Sequence, residues 1–331
     1  MTFLSIQHIS KQYDQDNHAL TDLSLQVKKG EAWSIVGESG SGKSTLLRIV
    51  AGLESQDSGE VYINGDKILN PTEKLVPGYE EIQLIHQQHN LYPNSTVAEN
   101  IVRPLLLFDK AYKEERLELL LELLQLKAHR DKLPRELSGG QQQKVGIARA
   151  LSIEPEVLLL DEPFSSLDNI QKRELIAELK AIFRELEVTV LLVTHDIDDA
   201  MTMTDNLCIL RDGEIVQQGK TYEIHQNPGN YYIAKLFTEL NPLPGQEDFY
   251  IRPSDLFLEE GEFGVSGIVW GAHYLVAHNL LSVAVDGVAQ HWTVEDKTRK
   301  YKKGDRINIS WDQEKALFLR SSRDVSKGSI E

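Results

Sequence analysis

The nine residues from Gly37 to Thr45, "GESGSGKST", have the types and spacing of a phosphate-binding loop. They match the pattern G-x-x-x-x-G-K-[ST] and lie between a short apolar run and a helical pattern, which is the context that this motif requires. Glycines allow the backbone to wrap around a phosphate, and the start of the following helix adds the positive end of its dipole. The predicted loop residues are Gly37, Glu38, Ser39, Gly40, Ser41, Gly42, Lys43, Ser44 and Thr45.

Two acidic residues are placed to complete a phosphoryl-transfer site with this loop. Lys43 is expected to reach the β- and γ-phosphates, and Ser44 to offer its hydroxyl to Mg²⁺. In "VLLLDEP" (157–163), four apolar residues run into Asp161 and Glu162. An apolar strand that ends in acids is a weak signal alone, but it becomes a strong one after a phosphate loop. Asp161 is then expected to support Mg²⁺, and Glu162 to act as the general base that orients water on the γ-phosphate.

A second stretch, "ELSGGQQQK" (136–144), also resembles an anion cradle. Its small hydroxyl and paired glycines favour a close approach of backbone N–H groups to an anion, and a helix is predicted to follow. One nucleotide does not need two phosphate cradles, so the sequence raises the question of what this one binds. The residues concerned are Ser138, Gly139, Gly140 and Gln141.

Three further side chains could contribute, although each is ordinary by itself. His195 follows the apolar strand "VTVLLVT", and strand ends in α/β sheets are where ligands bind. Gln87 follows the predicted strand "EIQLI". Tyr13, in "KQYD", is an aromatic between two predicted strands that could stack on a base or could simply be a surface tyrosine.

The elements that must position these residues alternate between short apolar runs and helical patterns. Such alternation indicates an α/β fold with a mostly parallel sheet covered on both faces. Residues 97–137 are helical in pattern, and leucines at i, i+3, i+4 and i+7 predict one buried helix face: Leu117, Leu120, Leu121 and Leu124. The predicted strands of this region are 3–9, 22–28, 32–36, 81–85, 157–161 and 188–193, with a further strand and turn at 59–65, and helices are predicted over 43–52 and 170–186.

The character of the chain changes at "NPLPGQEDF" (241–249). Short alternating strands separated by turns follow, which predicts a small all-β domain of the barrel or sandwich type. The predicted strands lie in "FYIRP", "GVSGIVWGAHYLVAH", "LSVAVDG", "RINISWD" and "ALFLR". The predicted domains are residues 1–240, with a helical subdomain at about 97–150, and residues 241–320, followed by a loose tail at 321–331.

Composition narrows the class of protein. The 331 residues are enough for two domains, and a net charge of −16 argues against a nucleic-acid partner, because phosphate binding needs clustered Lys and Arg. The sequence has one cysteine, Cys208, so the chain cannot form an internal disulfide. Cys208 lies in an apolar run and is predicted to be an ordinary buried residue. No signal peptide or membrane-spanning run is apparent, so a cytosolic chain is expected.

Taken in order, these motifs resemble the nucleotide-binding subunit of an ATP-binding cassette (ABC) transporter over about residues 1–240. The most specific element is "LSGGQ" (137–141), which is the family signature, and "SSLD" (165–168) also matches. The resemblance implies a P-loop NTPase that hydrolyses ATP with Mg²⁺. It implies that Tyr13 stacks on adenine, that Gln87 touches Mg²⁺ and the attacking water, that His195 contacts the γ-phosphate, and that Asp168 helps to join two subunits.

The resemblance also implies an answer for the second cradle. In the family, two copies pair head to tail about a two-fold axis, and each copy contributes half of both sites. Ser138 and Gly140 of one copy close over the γ-phosphate held by the other copy's phosphate loop. ATP then acts as the adhesive between subunits, and its hydrolysis releases them.

The C-terminal region resembles the accessory OB-like (TOBE-like) β-barrel of importer ATPases, beginning at "IRPSDLFL" (251–258). Lys144 departs from the arginine that is usual there. The resemblance implies integral membrane permease subunits as partners, a solute-binding protein as an indirect partner, and a peripheral position on the cytoplasmic face of the inner membrane. Ferric iron is the first expectation for the cargo. Polyamine, sulfate or molybdate, and sugar import remain alternatives, and a soluble ABC ATPase without a transport role is a more distant one.

Overall fold

A computed structural model describes residues 2–14, 17–86, 90–165 and 167–320 of the chain. The molecule divides into two compact units, residues 1–222 and 223–331. This division falls ahead of the change in sequence character at Asn241. The predicted tail at 321–331 lies outside the described residues.

The described part of the first unit contains two sheets. The strands are β1 (Thr2–Asp14), β2 (Asn17–Lys28), β3 (Ala32–Val36), β4 (Ser58–Ile63), β5 (Asp66–Lys67), β6 (Ile82–Ile85), β7 (Val157–Asp161), β8 (Thr189–Thr194), β9 (Asn206–Arg211) and β10 (Glu214–Lys220). One sheet is antiparallel in the order β2-β1-β4-β5, and the other has the order β10-β9-β3-β8-β7-β6. In the second sheet only β10 runs antiparallel to its neighbour. The mostly parallel sheet predicted from the sequence is therefore confirmed.

The helices follow the strands in the predicted alternation. They are α1 (Lys43–Val50), α2 (Val97–Val102), α3 (Lys110–Leu123), α4 (Gly139–Leu151), α5 (Asn169–Glu185), α6 (Ile197–Met203), α7 (Thr221–Gln226) and α8 (Tyr231–Phe237). The four leucines predicted to form a buried face are 0–3% exposed, which confirms that prediction. The helical stretch after residue 97 is broken, because Thr96 and Asp109 each cap a new helix by accepting a backbone N–H.

The parallel sheet separates two apolar cores. Side chains alternate between the faces of a strand, so neighbours in β7 enter different cores. Leu158 and Leu160 pack with residues of α2 to α5, whereas Leu159 packs with α1 and the antiparallel sheet. One face is thus covered partly by strands, which the sequence did not predict. Cys208 is fully buried as predicted, and burial raises the pKa of its thiol to about 12.

The described strands of the second unit are antiparallel, and a largely aliphatic core that includes Trp292 and Trp311 lies between them. Its strands are β11 (Asn241–Pro242), β12 (Phe249–Ile251), β13 (Leu256–Phe257), β14 (Phe263–Tyr274), β15 (Asn279–Val285), β16 (Trp292–Asp296), β17 (Arg306–Trp311) and β18 (Leu317–Phe318). They form the sheets β11-β12-β18 and β13-β17-β14-β15-β16. The prediction missed β16, which is short and ends in two acids. Its pairing with β15 buries Trp292 against Trp311.

Candidate functional site

The phosphate loop connects β3 to α1 and requires glycine at position 42, the residue just before α1. Gly42 has φ 96°, a left-handed conformation that side chains disfavour. A Cβ at this position would lie 2.1 Å from the carbonyl oxygen of Ala19. The loop therefore approaches the start of β2 more closely than any other residue type would allow.

Lys43 is buried at the start of α1 and points its ammonium group into the loop. Its Nζ donates to the carbonyl oxygens of Gly37 (2.8 Å) and Glu38 (2.7 Å). Burial lowers the pKa of Lys43, and the negative charges of Glu162 and Asp161 oppose that shift. The cation thus lies among groups that would also surround a bound phosphate.

Ser44 and Asp161 supply two oxygen atoms side by side. The Ser44 hydroxyl donates to Asp161 Oδ1 over 2.9 Å. Two oxygens bound next to each other on one Mg²⁺ at about 2.1 Å lie about 3 Å apart, so this pair fits the ion. Among the described residues, no group of three or more His, Cys, Asp or Glu side chains could hold a metal alone. Phosphate oxygens and water would have to complete the coordination, as is usual for Mg²⁺.

Glu162 is held in the turn that follows β7. Its backbone has φ 47°, and its N–H donates to the carbonyl oxygen of Val193 in β8 over 2.9 Å. A left-handed conformation costs about 1–2 kcal/mol for a side-chain-bearing residue, and such strain often accompanies functional sites. Glu162 Oε1 lies 3.2 Å from His195 Nδ1. The structure therefore brings together the predicted general base and the predicted histidine at the ends of adjacent parallel strands.

An ion-pair cluster anchors the chain just after His195. Asp196 caps α6 by accepting the backbone N–H of Asp198. Lys172, from α5, lies 2.8 Å from Asp196 Oδ2 and 2.7 Å from Oδ1 of the buried Asp199. Burial raises the pKa of Asp199, and the hydrogen bond from Lys172 opposes the shift. Sequence reasoning missed this support, although the cap signal of Asp196 was visible in "THDIDDAM".

Tyr13, one residue before the end of β1, is 48% exposed, and its hydroxyl is anchored. The hydroxyl donates to Glu54 and lies 3.2 Å from Thr45 Oγ1. Burial, followed by the hydrogen bond to Glu54, raises the pKa of Tyr13. Lys11 Nζ lies 5.4 Å from the ring centroid. The ring is therefore tied to the start of α1, and Glu54 is a further residue that the sequence did not single out.

The signature begins α4 with a capping box. Ser138 Oγ accepts the N–H of Gln141 (3.3 Å), and the Ser138 N–H donates to Gln141 Oε1 (3.0 Å). Asp168 caps α5 in a similar way by accepting the N–H groups of Ile170 and Gln171. Among the described residues, no hydrogen bond or ion pair joins positions 138–141 to positions 37–45. No direct polar contact between described residues therefore holds the two cradles together.

The signature glycines are not needed by the fold of the chain that carries them. Neither Gly139 nor Gly140 has a positive φ. A Cβ at Gly139 would meet Leu167 Cδ2 at 3.6 Å, and one at Gly140 would meet Gln171 Oε1 at 3.7 Å, both ordinary contacts. Gly42 in the phosphate loop differs, because its positive φ and the nearby Ala19 carbonyl leave no room for a Cβ. Gln87 lies outside the described residues, so its predicted role stays a prediction.

Comparison with known proteins places this geometry in a family. An ABC transporter family model matches residues 20–165, and a TOBE domain model matches residues 249–319. The spermidine/putrescine import ATP-binding protein PotA of Thermotoga maritima is 38% identical over 319 residues, which covers 96% of this chain and 78% of that protein. The chain belongs to the ATP-binding proteins of ABC transporters. It is an ATPase of the importer type with a C-terminal accessory domain, which confirms the predicted fold class and activity.

Solved ABC structures support this placement. The structure of cbiO1 from Clostridium perfringens, part of the ABC transporter complex cbiONQ, matches with a TM-score of 0.62 and 28% identity, covering 67% of this chain and 90% of that one. The ATP-binding cassette MJ0796, as a post-hydrolysis dimer bound to ADP and Pi, matches with a TM-score of 0.58 and 34% identity, covering 66% and 98%. In the part of this ABC ATPase that the structure describes, no helix is long and apolar enough to cross a membrane.

Proposed function

We propose that this chain hydrolyses MgATP as one of two paired ATPase subunits that power an ABC importer for polyamines. The observation that carries the catalytic part is the convergence of four side chains from three strand ends: Ser44, Asp161, Glu162 and His195. Family membership supports ATP as the nucleotide. We propose in addition the roles of the individual residues, the Mg²⁺ ion, the pairing of two chains, the permease partners and the cargo.

In the reaction, Glu162 takes a proton from the water that attacks the γ-phosphorus. The new oxygen–phosphorus bond forms as the bond to the β–γ bridging oxygen breaks, and ADP leaves with that oxygen. Mg²⁺, held beside Ser44 and Asp161, would neutralise charge that develops on the phosphate oxygens. Lys43 binds the β- and γ-phosphates, and His195 holds Glu162 through Nδ1 while its other ring nitrogen serves the γ-phosphate. Gln87 retains its predicted contact with the attacking water.

The signature completes the site of a second copy. Free N–H groups at the start of α4 and the hydroxyl of Ser138 provide an anion site, and within the described ranges no hydrogen bond or ion pair joins this site to the chain's own phosphate loop. Small residues at Gly139 and Gly140, which the fold of the chain does not require, would allow another molecule's nucleotide to come close. MJ0796, which is similar in structure, is described as a dimer bound to ADP and Pi. Asp168, at the start of α5, would support the same subunit contact.

The permease is proposed to dock on an exposed apolar surface of the helical subdomain. The leucine patch, defined as Leu106, Leu107 and Phe108, is 66%, 100% and 45% exposed. Tyr92, in the loop after Gln87, is 41% exposed, and the guanidinium of Arg103 lies 4.2 Å from its ring centroid. Contiguous apolar residues of this kind mark protein interaction sites, and a short apolar helix of a membrane subunit fits them. Such docking would keep the chain peripheral on the cytoplasmic face of the membrane.

The cargo is assigned from the relative whose name states a solute. PotA of Thermotoga maritima is named for spermidine and putrescine import, and it aligns with nearly the whole chain. None of the comparisons described above names ferric iron, the first expectation from the sequence. We therefore propose a polyamine, which a solute-binding protein would deliver to the permease.

The cargo can be tested in vesicles that contain the chain, its permease subunits and its solute-binding protein. We expect spermidine or putrescine on the binding protein to stimulate ATP hydrolysis and to accumulate inside. Stimulation by ferric iron, sulfate, molybdate or a sugar alone would overturn the polyamine assignment and keep the importer. The importer itself would be wrong if the ATPase failed to bind any permease.

A further inference from the structure

His129 contacts the signature from the turn that ends the preceding segment. Its Nε2 lies 3.1 Å from Nε2 of Gln141. An amide nitrogen can only donate, so the imidazole nitrogen has to accept. The amide cannot be reversed, because its Oε1 already accepts the Ser138 N–H over 3.0 Å, and reversal would set donor against donor. Gln141 therefore bridges the cap of α4 and His129.

This bridge defines the state of the histidine. With Nε2 accepting, the ring is neutral and carries its proton on Nδ1. Nδ1 is buried and has no hydrogen-bond partner among the described residues. A buried donor without a partner lowers the stability of the fold. The free-energy cost of the unpartnered Nδ1–H therefore offsets the gain from the hydrogen bond between Nε2 and Gln141. A contribution to the stability of this turn is therefore not the reason for a histidine at position 129.

The bridge supports the capping box that holds the Ser138 side chain in place. Ser138 Oγ accepts the N–H of Gln141 at 3.3 Å, which leaves its own O–H to donate elsewhere. Both bonds of the capping box run through Gln141. If the Gln141 side chain swings free, the Ser138 N–H loses its partner and the cap loosens.

We propose that His129 is a positioning residue for ATP-driven pairing of two chains. It holds Gln141, so that the cap directs the Ser138 hydroxyl and the free N–H groups of α4 at the γ-phosphate on the partner. This role rests on the proposed two-fold sandwich, in which two chains pair head to tail around two bound ATP molecules. His129 acts through Gln141 and does not touch the nucleotide.

The test uses the full chain with Glu162→Gln, so that bound ATP is retained, and measures the MgATP concentration that gives half-maximal dimer by light scattering. His129→Phe keeps a ring but removes both the acceptor and the unpartnered N–H. We expect it to raise that concentration about fivefold, the worth of one neutral hydrogen bond. Its Tm should stay the same or rise. His129→Gln places an acceptor as many bonds from Cβ as Nε2 and should restore the parent value.

A double-mutant cycle isolates the route through Gln141. With Gln141→Ala already present, His129→Phe should have no further effect on dimerisation, because the bond it removes is gone. Binding of a fluorescent ATP analogue to the single chain should be the same in all variants, since the signature does not serve its own nucleotide.

The outcomes separate this inference from the function on which it rests. If the Glu162→Gln parent does not dimerise with MgATP, the sandwich itself is wrong. If the parent dimerises and His129→Phe matches it, the role of His129 is wrong. A loss in His129→Phe that comes with a lower Tm and is not restored by His129→Gln would mean a merely structural histidine and also overturns the proposal.

Discussion

The hydroxyl of Ser44 donates to Asp161 across 117 residues of sequence, over a distance of 2.9 Å. The first residue lies just after the loop that follows β3, and the second ends β7. Both strands are parallel to β8, which lies between them, so their carboxyl ends meet at one edge of the sheet. This pair is where the proposed metal site can be tested most directly.

Replacing Asp161 by Asn should weaken the response to Mg²⁺. The amide keeps an acceptor for Ser44 but removes the negative charge that a divalent cation requires. We expect the Mg²⁺ concentration for half-maximal ATP hydrolysis to rise by about tenfold or more. Ser44→Thr, which retains the hydroxyl, is the matched control and should stay close to the parent. An unchanged Mg²⁺ titration in Asp161→Asn would remove this carboxylate from the site.

Replacing Glu162 by Gln should cut turnover by about 10²-fold or more, which is the scale of general-base losses. ATP binding should survive because the phosphate loop is untouched, and the variant should accumulate as an ATP-bound dimer. Phosphate release and particle mass report the two effects. Glu80→Gln, an exposed change elsewhere in the first unit, should behave as wild type. Near-normal hydrolysis by Glu162→Gln would contradict the assignment.

Alanine substitutions at Gly42 and at Gly140 should impair different properties of the chain. Gly140→Ala should fold with an unchanged Tm, because its Cβ meets only ordinary contacts, yet it should lose ATP-driven dimerisation. Gly42→Ala should distort the loop and weaken ATP binding to the single chain, because its Cβ would overlap the Ala19 carbonyl. Thermal melting and nucleotide binding distinguish the two. Normal dimerisation by both Gly139→Ala and Gly140→Ala would count against a partner at the signature.

The anchor of Tyr13 should affect ATP affinity more than the rate. Tyr13→Ala removes the ring, and aromatic stacking on a base is worth about 1–3 kcal/mol, so KM for ATP should rise by about tenfold or more. Tyr13→Phe and Glu54→Ala keep the ring and remove the hydrogen bond between Tyr13 and Glu54, and both should raise KM by a smaller and similar factor. Steady-state kinetics at saturating Mg²⁺ provide the measurement. If Tyr13→Ala left KM unchanged, the base would have to bind elsewhere.

A charge in the leucine patch should uncouple transport from hydrolysis. Leu107 is 100% exposed, so Leu107→Glu costs the chain no packing and should leave basal ATP hydrolysis intact. Uptake and co-purification with the permease should fall sharply, because the carboxylate would be buried at the contact. Leu75, at 99% exposure, supplies the matched control Leu75→Glu, which should transport normally. Equal behaviour of the two variants would place the permease on another surface.

The sequence alone was enough for the family and for much of the fold. Contiguous motifs such as 37–45 and 157–163 carry their own chemistry, and their flanking periodicities predicted β3, α1 and β7 close to the observed bounds. The buried leucines of α3 were equally local, since one helix face follows from spacing alone. These features depend on residues that are close to one another in the sequence.

Other features became visible only with the tertiary structure. Glu54 beneath Tyr13, Lys172 beside Asp196, and His129 against Gln141 are pairs whose members have no shared motif. Strand β16 was missed because its pairing with β15 defines it more than its own residues do. The sequence also could not show that the fold of the chain requires glycine at position 42 but not at position 140. A motif records which groups the chemistry needs, whereas the order of strands in the sheets decides which distant side chains and carbonyls surround those groups.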